Sequence, residues 1–273
     1  MSAFTDAQTR DYYESYSDVY ALIWSQQMHT GYFDRPKNLE TACADMNHYL
    51  AAVAEITAGS SVLNVGCGRG GTDRFLARQF DASVTGIDIS QRQLEEASRE
   101  AKQAGLDKAI RYEYGLMTAL PAADASFDYV WVQEALFHCH DKNQAVREFH
   151  RVLKPGGRAI IEDTVLLHPA AKAEVMAAFG ERVFINSLST SAEYEEAFLA
   201  AGFRLVTKND LTDHLASTYR AIADYIAANI QELKQKIDQK YWPTLENDGG
   251  RERTLKLVEE DKLGCVCLVF EKS

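Results

Sequence analysis

Residues 61–77 read SVLNVGCGRGGTDRFLA, which combines a short apolar strand, a turn rich in glycine and the start of a helical pattern. Glycine adopts positive φ without strain and lets a ligand approach the backbone closely. The helix directs unpaired N–H groups back at the turn, and these groups suit an anionic or strongly hydrogen-bonding ligand. A second apolar strand ends at Asp88, about 20 residues on, where a carboxylate can accept both hydroxyls of a ribose. This order of strand, glycine turn, helix, strand and acid predicts a nucleotide-type binding site.

Strands and helices continue to alternate outward from this unit. Apolar runs predict further strands at 111–114, 127–132, 158–162, 203–208 and 263–270. Helical patterns predict helices at 41–56, 91–104, 141–153, 191–201 and 214–240. Such alternation requires a parallel sheet with right-handed crossovers, and a strand added after a long excursion often runs antiparallel. The predicted fold class is therefore α/β, with a Rossmann-like, doubly wound, seven-stranded sheet that is mostly parallel and has an antiparallel last strand.

Three regions follow from these boundaries. We expect residues 1–56 to form an N-terminal helical lid and residues 57–163 to form the binding core. Residues 164–273 complete the core and add two helical cap insertions, at 164–190 and 210–258. Functional groups of such sheets gather at the carboxyl ends of the strands, so the insertions would cover a substrate.

Residues 11–34 are unusually aromatic, and two interpretations are open. The aromatic side chains can pack on the core as one face of a helix, or they can line a pocket as part of a lid. The loop position of His29 and Tyr32 favours the lid, because packing explains polar aromatic groups in a loop less easily. The predicted lid residues are Tyr12, Tyr20, His29 and Tyr32.

The composition restricts the partners. A net charge of -11 and a pI near 5.1 argue against nucleic acid, because its binding depends on cationic side chains. No apolar run is long enough to span a bilayer, and the first residues do not resemble a signal peptide. The five cysteines lack the spacing of a metal or redox site, so we expect free thiols, no metal and a cytoplasmic location. A small-molecule substrate is expected, and a homo-oligomer through the aromatic N-terminal arm remains open.

Further segments make the pattern more specific. GIDIS at 86–90, LPAADASFDYVWVQEALFHCHD at 120–141 and RVLKPGG at 151–157, together with VLNVGCGRGG at 62–71, resemble the motifs of class I S-adenosylmethionine-dependent methyltransferases. The resemblance covers roughly residues 10–273. HTGYF, EALFHCHD, IIEDTV and the closing LGCVCLVFEKS are similar to a small-molecule subgroup. That subgroup includes sarcosine/dimethylglycine N-methyltransferases, antibiotic sugar O-methyltransferases, and tocopherol, sterol and prenyl-diphosphate C-methyltransferases.

The resemblance implies S-adenosylmethionine as cofactor and methyl transfer to a carbon, oxygen or nitrogen of a specialised metabolite. The residues it implies for the cofactor are Gly66, Gly68 and Gly70 as a backbone cradle, Asp88 on the ribose, Ile89, Leu116 and Met117 around the adenine, and Gln133 on the pocket floor.

Two positions depart from the family's pattern. Asn64 stands where an acid usually closes the first strand, and its amide can hydrogen-bond but supplies no charge. Leu116 stands where an Asp commonly accepts from the adenine amino group, so backbone groups around Leu116 and Met117 would have to replace it.

Three residues are candidates for acid–base chemistry, which is needed only when the acceptor must lose a proton. His138 follows the fourth strand, and an unperturbed histidine titrates near neutral pH; the alternative is a histidine satisfied by hydrogen bonds at a helix start. Glu134 matches a position that faces the acceptor in prenyl-diphosphate C-methyltransferases, and the alternative is an ion pair. Asp163 is predicted to close the fifth strand, where the resemblance to sugar methyltransferases implies that it orients or deprotonates the acceptor.

Two other functions remain open beside methyl transfer. One is a cyclase-like enzyme that keeps the cofactor as a structural part. The other is a regulator or scaffold that binds S-adenosylmethionine without catalysis.

Overall fold

Seven strands form one sheet in a computed structural model, which describes residues 5–24, 27–180, 183–185, 187–246 and 248–273. The strand order is β3-β2-β1-β4-β5-β7-β6. The first five strands pair in parallel, whereas β7 runs antiparallel to both of its neighbours. The predicted fold class, including its antiparallel last strand, is confirmed. The strands are β1 (Ser61–Val65), β2 (Ser83–Asp88), β3 (Ile110–Tyr114), β4 (Phe127–Gln133), β5 (Leu153–Leu166), β6 (Phe203–Asp210) and β7 (Leu263–Lys272).

Helices flank the sheet and cover the carboxyl ends of its central strands. A single 3-10 turn at Leu136–His138 follows β4, and a π-helical turn spans Met176–Gly180. Ser90 starts α4 as predicted, since its hydroxyl accepts from the backbone N–H of Gln93 at 3.2 Å. The α-helices are α1 (Asp6–Trp24), α2 (Leu39–Val53), α3 (Gly71–Phe80), α4 (Gln91–Gln103), α5 (Lys142–Val152), α6 (Lys172–Val175), α7 (Ser191–Ala200), α8 (Thr212–Lys236), α9 (Trp242–Glu246) and α10 (Asp248–Glu259).

The two faces of the sheet are buried in separate apolar clusters. Side chains alternate between faces along a strand, so Val62 joins one cluster while Leu63 and Val65 join the other. A third cluster fastens α1 to α8 through residues such as Val19 and Ile222. The aromatic N-terminal segment is therefore a helix packed over the sheet edge where the strands end.

β5 departs from the predicted boundaries at both ends. It begins at Leu153 directly after α5 and includes Pro155. The register against β4 shifts beside this segment, between Phe127 and Tyr129. The strand also continues beyond Asp163 to Leu166, because it pairs with β7 up to Leu263. Asp163 therefore lies inside the strand, and the prediction that it closes the strand is wrong.

The division of the chain at residues 56 and 163 stays a prediction, and β5 runs across the second boundary. Side chains from both predicted cap insertions and from α1 contribute to one cavity, as described below. No helix in the described part of the chain is both long and apolar enough to cross a bilayer.

Candidate active site

A cavity of about 580 Å³ opens at the carboxyl ends of β1, β2 and β4. The sheet order reverses between β1 and β4, and such switch points are where open α/β sheets bind ligands. The predicted site residues that line the cavity are Gly66, Gly68, Asp88, Ile89, Met117, Gln133, Glu134, His138, Tyr12, Tyr20 and His29. The predicted site residues that do not are Gly70, Leu116, Tyr32 and Asp163.

The glycine turn after β1 is held close to the neighbouring strands. Gly66 has a φ of 77°, and its N–H donates to the Ile87 carbonyl at 2.8 Å. A side chain at Gly66 would strike the Cβ atom of Ala135, so glycine is required for conformation and for space. Gly70 caps α3 and faces the Tyr112 hydroxyl rather than the cavity.

Asp88 ends β2 with its carboxylate beside the turn. Its Oδ2 accepts from the Gly68 N–H at 2.9 Å, and its Oδ1 accepts from the Ser90 N–H at 2.8 Å. Burial raises the pKa of Asp88, while these backbone N–H groups oppose the rise. Each carboxylate oxygen retains capacity for a further hydrogen bond, so the group fits the two hydroxyls of a ribose.

The residues predicted to surround an adenine and the residue predicted to form the pocket floor lie on either side of Asp88 in the sheet. Ile89 and Met117 line the cavity, whereas Leu116 forms an isolated bridge with Ala119 and does not. On the floor, the Oε1 atom of Gln133 accepts from the Trp131 indole at 3.1 Å and from the Thr72 hydroxyl at 3.2 Å. These two donors fix the side chain of Gln133 against the cavity.

Glu134 presents the carboxylate best suited to acid–base chemistry. Its backbone has a φ of 49°, which is uncommon for a residue with a side chain and is typical of strained positions at functional sites. The carboxylate accepts from the hydroxyls of Thr30 at 3.2 Å and Thr164 at 3.1 Å. Burial raises the pKa of Glu134 to about 7, and the two hydroxyl bonds counteract part of that rise. No salt bridge to Glu134 is found among the described residues, which removes the ion-pair alternative.

Other acidic groups are packed behind Glu134. Carboxyl oxygens of Glu134 and Glu162 and the sulfur of Cys265 lie within 4.8 Å of one another, and the Cys265 thiol donates to Glu162 at 3.1 Å. Burial raises the pKa of Glu162 and of Cys265 well above their usual values. A metal would need these groups as anions, which burial disfavours, so we assign no metal to the cluster.

Asp163 is fully buried and turned away from the cavity. Its Oδ2 accepts from the Tyr194 hydroxyl at 2.6 Å, and burial raises its pKa well above the usual value. This arrangement joins β5 to α7. A role in orienting or deprotonating the acceptor stays a prediction that this placement does not support.

His138 lies in the 3-10 turn after β4 and contacts the lid helix. Its Nε2 and the Tyr13 hydroxyl are 2.7 Å apart. Burial, with a smaller contribution from the Lys142 ammonium, lowers the pKa of His138 to about 3. His138 is therefore an uncharged hydrogen-bonding group at pH 7, and its role as a base stays a prediction.

The lid contributes aromatic side chains from α1 and from the loop after it. The hydroxyls of Tyr12 and Tyr20 are hydrogen-bonded to each other at the cavity wall. His29 is buried, which lowers its pKa to about 4, and its Nδ1 contacts the Thr30 carbonyl at 3.0 Å. Tyr32 instead stacks on Tyr49, with ring centroids 4.7 Å apart, outside the cavity.

Sequence reasoning missed much of the cavity wall. The helical spacing of Tyr13 and Tyr16 with the predicted Tyr12 and Tyr20 was the available signal for the α1 residues. The cap insertions carry no motif that marks their contributions. Among the missed lining residues with large side chains are Tyr13, Tyr16, Trp24, Phe179, Phe184, Leu215, Tyr219, Ile222 and Arg251.

Comparisons with known proteins agree with this geometry. A family model described as a methyltransferase domain matches residues 63–161. The 27-O-demethylrifamycin SV methyltransferase of Amycolatopsis mediterranei is 32% identical over 266 residues, which cover 95% of each chain.

Two solved structures share the fold. Phosphoethanolamine N-methyltransferase 2 of Haemonchus contortus, in complex with S-adenosyl-L-methionine, gives a TM-score of 0.82 at 20% identity and covers 97% of this chain and 60% of that one. The (4+2)-cyclase SpnF gives a TM-score of 0.84 at 22% identity and covers 100% of this chain and 98% of that one.

The cavity fits the cofactor of these methyltransferases, because the backbone at Gly66 leaves no room for a side chain and Asp88 offers acceptors to a ribose. The identity and coverage of the rifamycin enzyme extend the likeness over nearly the whole chain. The chain therefore belongs to the S-adenosylmethionine-dependent methyltransferases, and S-adenosylmethionine is its cofactor.

Proposed function

We propose that this enzyme methylates a small metabolite whose accepting hydroxyl, amine or carbon lies beside Glu134. The observation that carries the proposal is that one cavity of about 580 Å³ joins Asp88 and the glycine turn to Glu134 and the aromatic lid. This volume has to contain both the cofactor and the acceptor, and pockets of this size are typical for small ligands. The acceptor is therefore a small molecule rather than a segment of a macromolecule.

The charges around the cavity support a neutral or cationic acceptor. Asp88 and Glu134 are carboxylic acids of the wall, the guanidinium of Arg69 is paired with Glu96, and the guanidinium of Arg251 donates to the Leu245 carbonyl at 2.7 Å. The aromatic rings of Tyr16, Trp24 and others supply apolar and cation-binding surface. A diphosphate would meet like charge here with little compensation, so we propose an apolar body that carries one hydroxyl or amine.

Methyl transfer requires alignment, exclusion of water and, for a protic acceptor, a proton acceptor. When bound, the cofactor supplies a methyl group on a positively charged sulfur. Glu134 accepts the proton that a hydroxyl or amine loses as its new bond to carbon forms. A pKa of about 7 leaves a large ionised fraction at neutral pH and still provides a competent base. For a carbon acceptor, the same carboxylate stabilises the developing cation and collects the proton.

His138 and the lid position the acceptor. His138 lines the cavity beside Glu134, and its Nδ1 atom is buried without a hydrogen-bond partner among the described residues. The hydrogen bond between Tyr13 and His138 holds α1 against the turn after β4 at the cavity wall. We assign Tyr12, Tyr20 and His29 to the walls around the acceptor.

The cysteines, the net charge and the N-terminal helix bear on the enzyme's compartment and partners. All five cysteines are free thiols, which supports a reducing compartment such as the cytoplasm. The acidic net charge of -11 supports the absence of a nucleic-acid partner. A homo-oligomer through the N-terminal arm stays a prediction, because α1 already packs on α8 of its own chain.

The test uses methyl-labelled S-adenosylmethionine with purified enzyme and fractionated cell extract. We expect label in low-molecular-weight, organic-extractable compounds, together with release of S-adenosylhomocysteine. The Asp88→Ala variant is the control for label transfer that does not depend on the cofactor site. Label confined to protein or nucleic acid would contradict the proposal. Product formation without consumption of S-adenosylmethionine would favour the cyclase-like alternative, and binding without any turnover would favour a regulator.

A further inference from the structure

Two buried threonine hydroxyls from different parts of the fold contact the carboxylate of Glu134. Thr164 lies on β5, and Thr30 lies in the loop between α1 and α2. The Thr30 hydroxyl is 3.2 Å from the Oε1 atom of Glu134, and the Thr164 hydroxyl is 3.1 Å from the same oxygen. A carboxylate accepts but does not donate, so each hydroxyl directs its hydrogen at Glu134.

The two oxygens of this carboxylate differ in their contacts. Oε1 takes the shorter hydrogen bond of each threonine, whereas Oε2 has one contact, at 3.3 Å, with the Thr164 hydroxyl. That hydroxyl has a single hydrogen, which favours the nearer Oε1 atom. Because Glu134 lines the cavity, Oε2 is the oxygen with capacity left for a proton from the acceptor.

The other groups around Glu134 supply no positive charge that would keep it ionised. Burial raises the pKa of each titratable neighbour, so these neighbours are protonated and uncharged at neutral pH. The threonine hydroxyls are therefore the contacts that favour the ionised carboxylate, since a hydrogen bond to a charged acceptor is stronger than one to a neutral acceptor. The titratable groups that interact electrostatically with Glu134 are Glu162, Asp163, Cys265, Cys43 and Tyr194, on β5, β7, α2 and α7.

Each hydroxyl is held in place by a separate part of the structure. Thr164 is fixed within the sheet, because β5 is paired with β7 at this point. Thr30 depends on its loop, where the N–H of the next residue, Gly31, donates to the Thr218 hydroxyl of α8 at 2.9 Å. The position of the loop that follows the lid helix therefore determines whether Thr30 reaches Glu134.

We propose that Thr30 and Thr164 are positioning residues of the methyl-transfer reaction, which keep Glu134 ionised by binding Oε1 and leave Oε2 to take the proton of the acceptor. Through Thr30, the docked loop after α1 couples the closed lid to the charge of the base. This assignment rests on Glu134 as the proton acceptor of the proposed function.

The test measures the ionisation of Glu134 directly, by a pH titration of the carboxyl-carbon NMR signals of labelled glutamates. Glu134→Gln identifies the signal. Thr30→Val and Thr164→Val each remove one hydroxyl and keep the size of the side chain, and we expect each to raise the pKa of Glu134 from about 7 to about 8. Thr30→Ser and Thr164→Ser keep the hydroxyl and should titrate as the wild type does.

The rate of methyl transfer supplies a second readout. The acidic limb of its pH profile should move upward by about one pH unit in both valine variants. Thr218→Val loosens the loop at Gly31 and should raise the pKa of Glu134 by less than Thr30→Val does. The matched control is Thr85→Val, because Thr85 is a buried threonine of β2 outside the cavity and should change neither readout.

Valine variants in which Glu134 titrates as in the wild type would overturn the inference. Serine variants or Thr85→Val with the same rise would do so too, because the hydroxyl contact would then not be the cause. An unchanged titration in Thr218→Val would overturn the coupling to the loop. Thr30→Val, in a loop, decides the matter should Thr164→Val fail to fold. A raised pKa with an unchanged rate profile would instead overturn Glu134 as the base of the proposed function and leave the threonines as the groups that set its charge.

Discussion

Replacing Glu134 by glutamine should stabilise the folded protein at neutral and alkaline pH. Burial disfavours the charged carboxylate, and it raises the pKa of Glu134 to about 7 in the folded state. In the unfolded chain, a glutamate titrates at about 4.3. The folded state therefore binds the proton more tightly, and ionisation of Glu134 costs folding free energy that an uncharged amide does not.

The size and the pH range follow from these two values. Below pH 4 the carboxyl is protonated in both states, and the substitution removes no electrostatic penalty. The penalty grows as pH rises through the unfolded pKa and is complete above the folded pKa. At about 1.36 kcal/mol per pKa unit, it reaches about 1 kcal/mol at pH 5 and up to about 4 kcal/mol at pH 8. Thr30 and Thr164 can still hydrogen-bond to the amide, so little of this gain should be lost.

Urea unfolding at pH 5 and pH 8 measures this difference. The matched control is Glu148→Gln, because hydrogen bonds from Arg151 lower the pKa of Glu148 and the substitution should destabilise the protein at pH 8. Equal stabilisation of Glu134→Gln at the two pH values, or destabilisation at pH 8, would refute the assignment of Glu134 as a buried, weakly acidic carboxyl.

Two further predictions concern the cofactor half of the cavity. Asp88→Ala should weaken the binding of S-adenosylhomocysteine by at least about tenfold in calorimetry, since the ribose hydroxyls and the Gly68 N–H lose a charged acceptor. Asp88→Asn should lose less affinity. An unchanged dissociation constant of Asp88→Ala would remove the ribose assignment. Gly66→Ala should lower the melting temperature more than Gly59→Ala does. Both glycines have φ near 75°, but an added Cβ meets Ala135 at Gly66 and meets nothing within 4 Å at Gly59. Equal losses for the two variants would show that conformation alone, and not the close approach to Ala135, requires glycine at Gly66.

Features encoded within one short segment could be predicted from the sequence. The positive φ of Gly66 and the acid at the end of β2 each follow from residues in the same strand and turn. The alternation of strands and helices is equally local and predicts a parallel sheet, whereas the antiparallel last strand was predicted from the long excursion before it. The same motifs predict Leu116 and Gly70 at the cavity, but Leu116 bridges Ala119 and Gly70 lies against Tyr112, and neither residue lines the cavity.

Features that depend on distant packing could not be predicted. Burial raises the pKa of Glu134, and the hydroxyls of Thr30 and Thr164, which are 104 and 30 residues away in the chain, oppose that rise. The low pKa of His138 results from burial under α1, and no local pattern reports that burial. Asp163 points at Tyr194 because of the long pairing of β5 with β7, which sequence periodicity does not reveal.

The two halves of the cavity therefore differ in how freely their residues can change. The cofactor half is built from the turn after β1 and the end of β2, where a substitution at Gly66 or Asp88 disturbs backbone geometry as well as binding. The acceptor half combines α1 with the cap insertions. The side chains that these insertions add to the cavity wall, such as Phe184 and Tyr219, lie outside the sheet. Exchange of those side chains alters the shape offered to the acceptor and leaves Glu134 in place. Acceptor specificity should thus reside in the lid and caps, while the chemistry remains fixed at the strand ends.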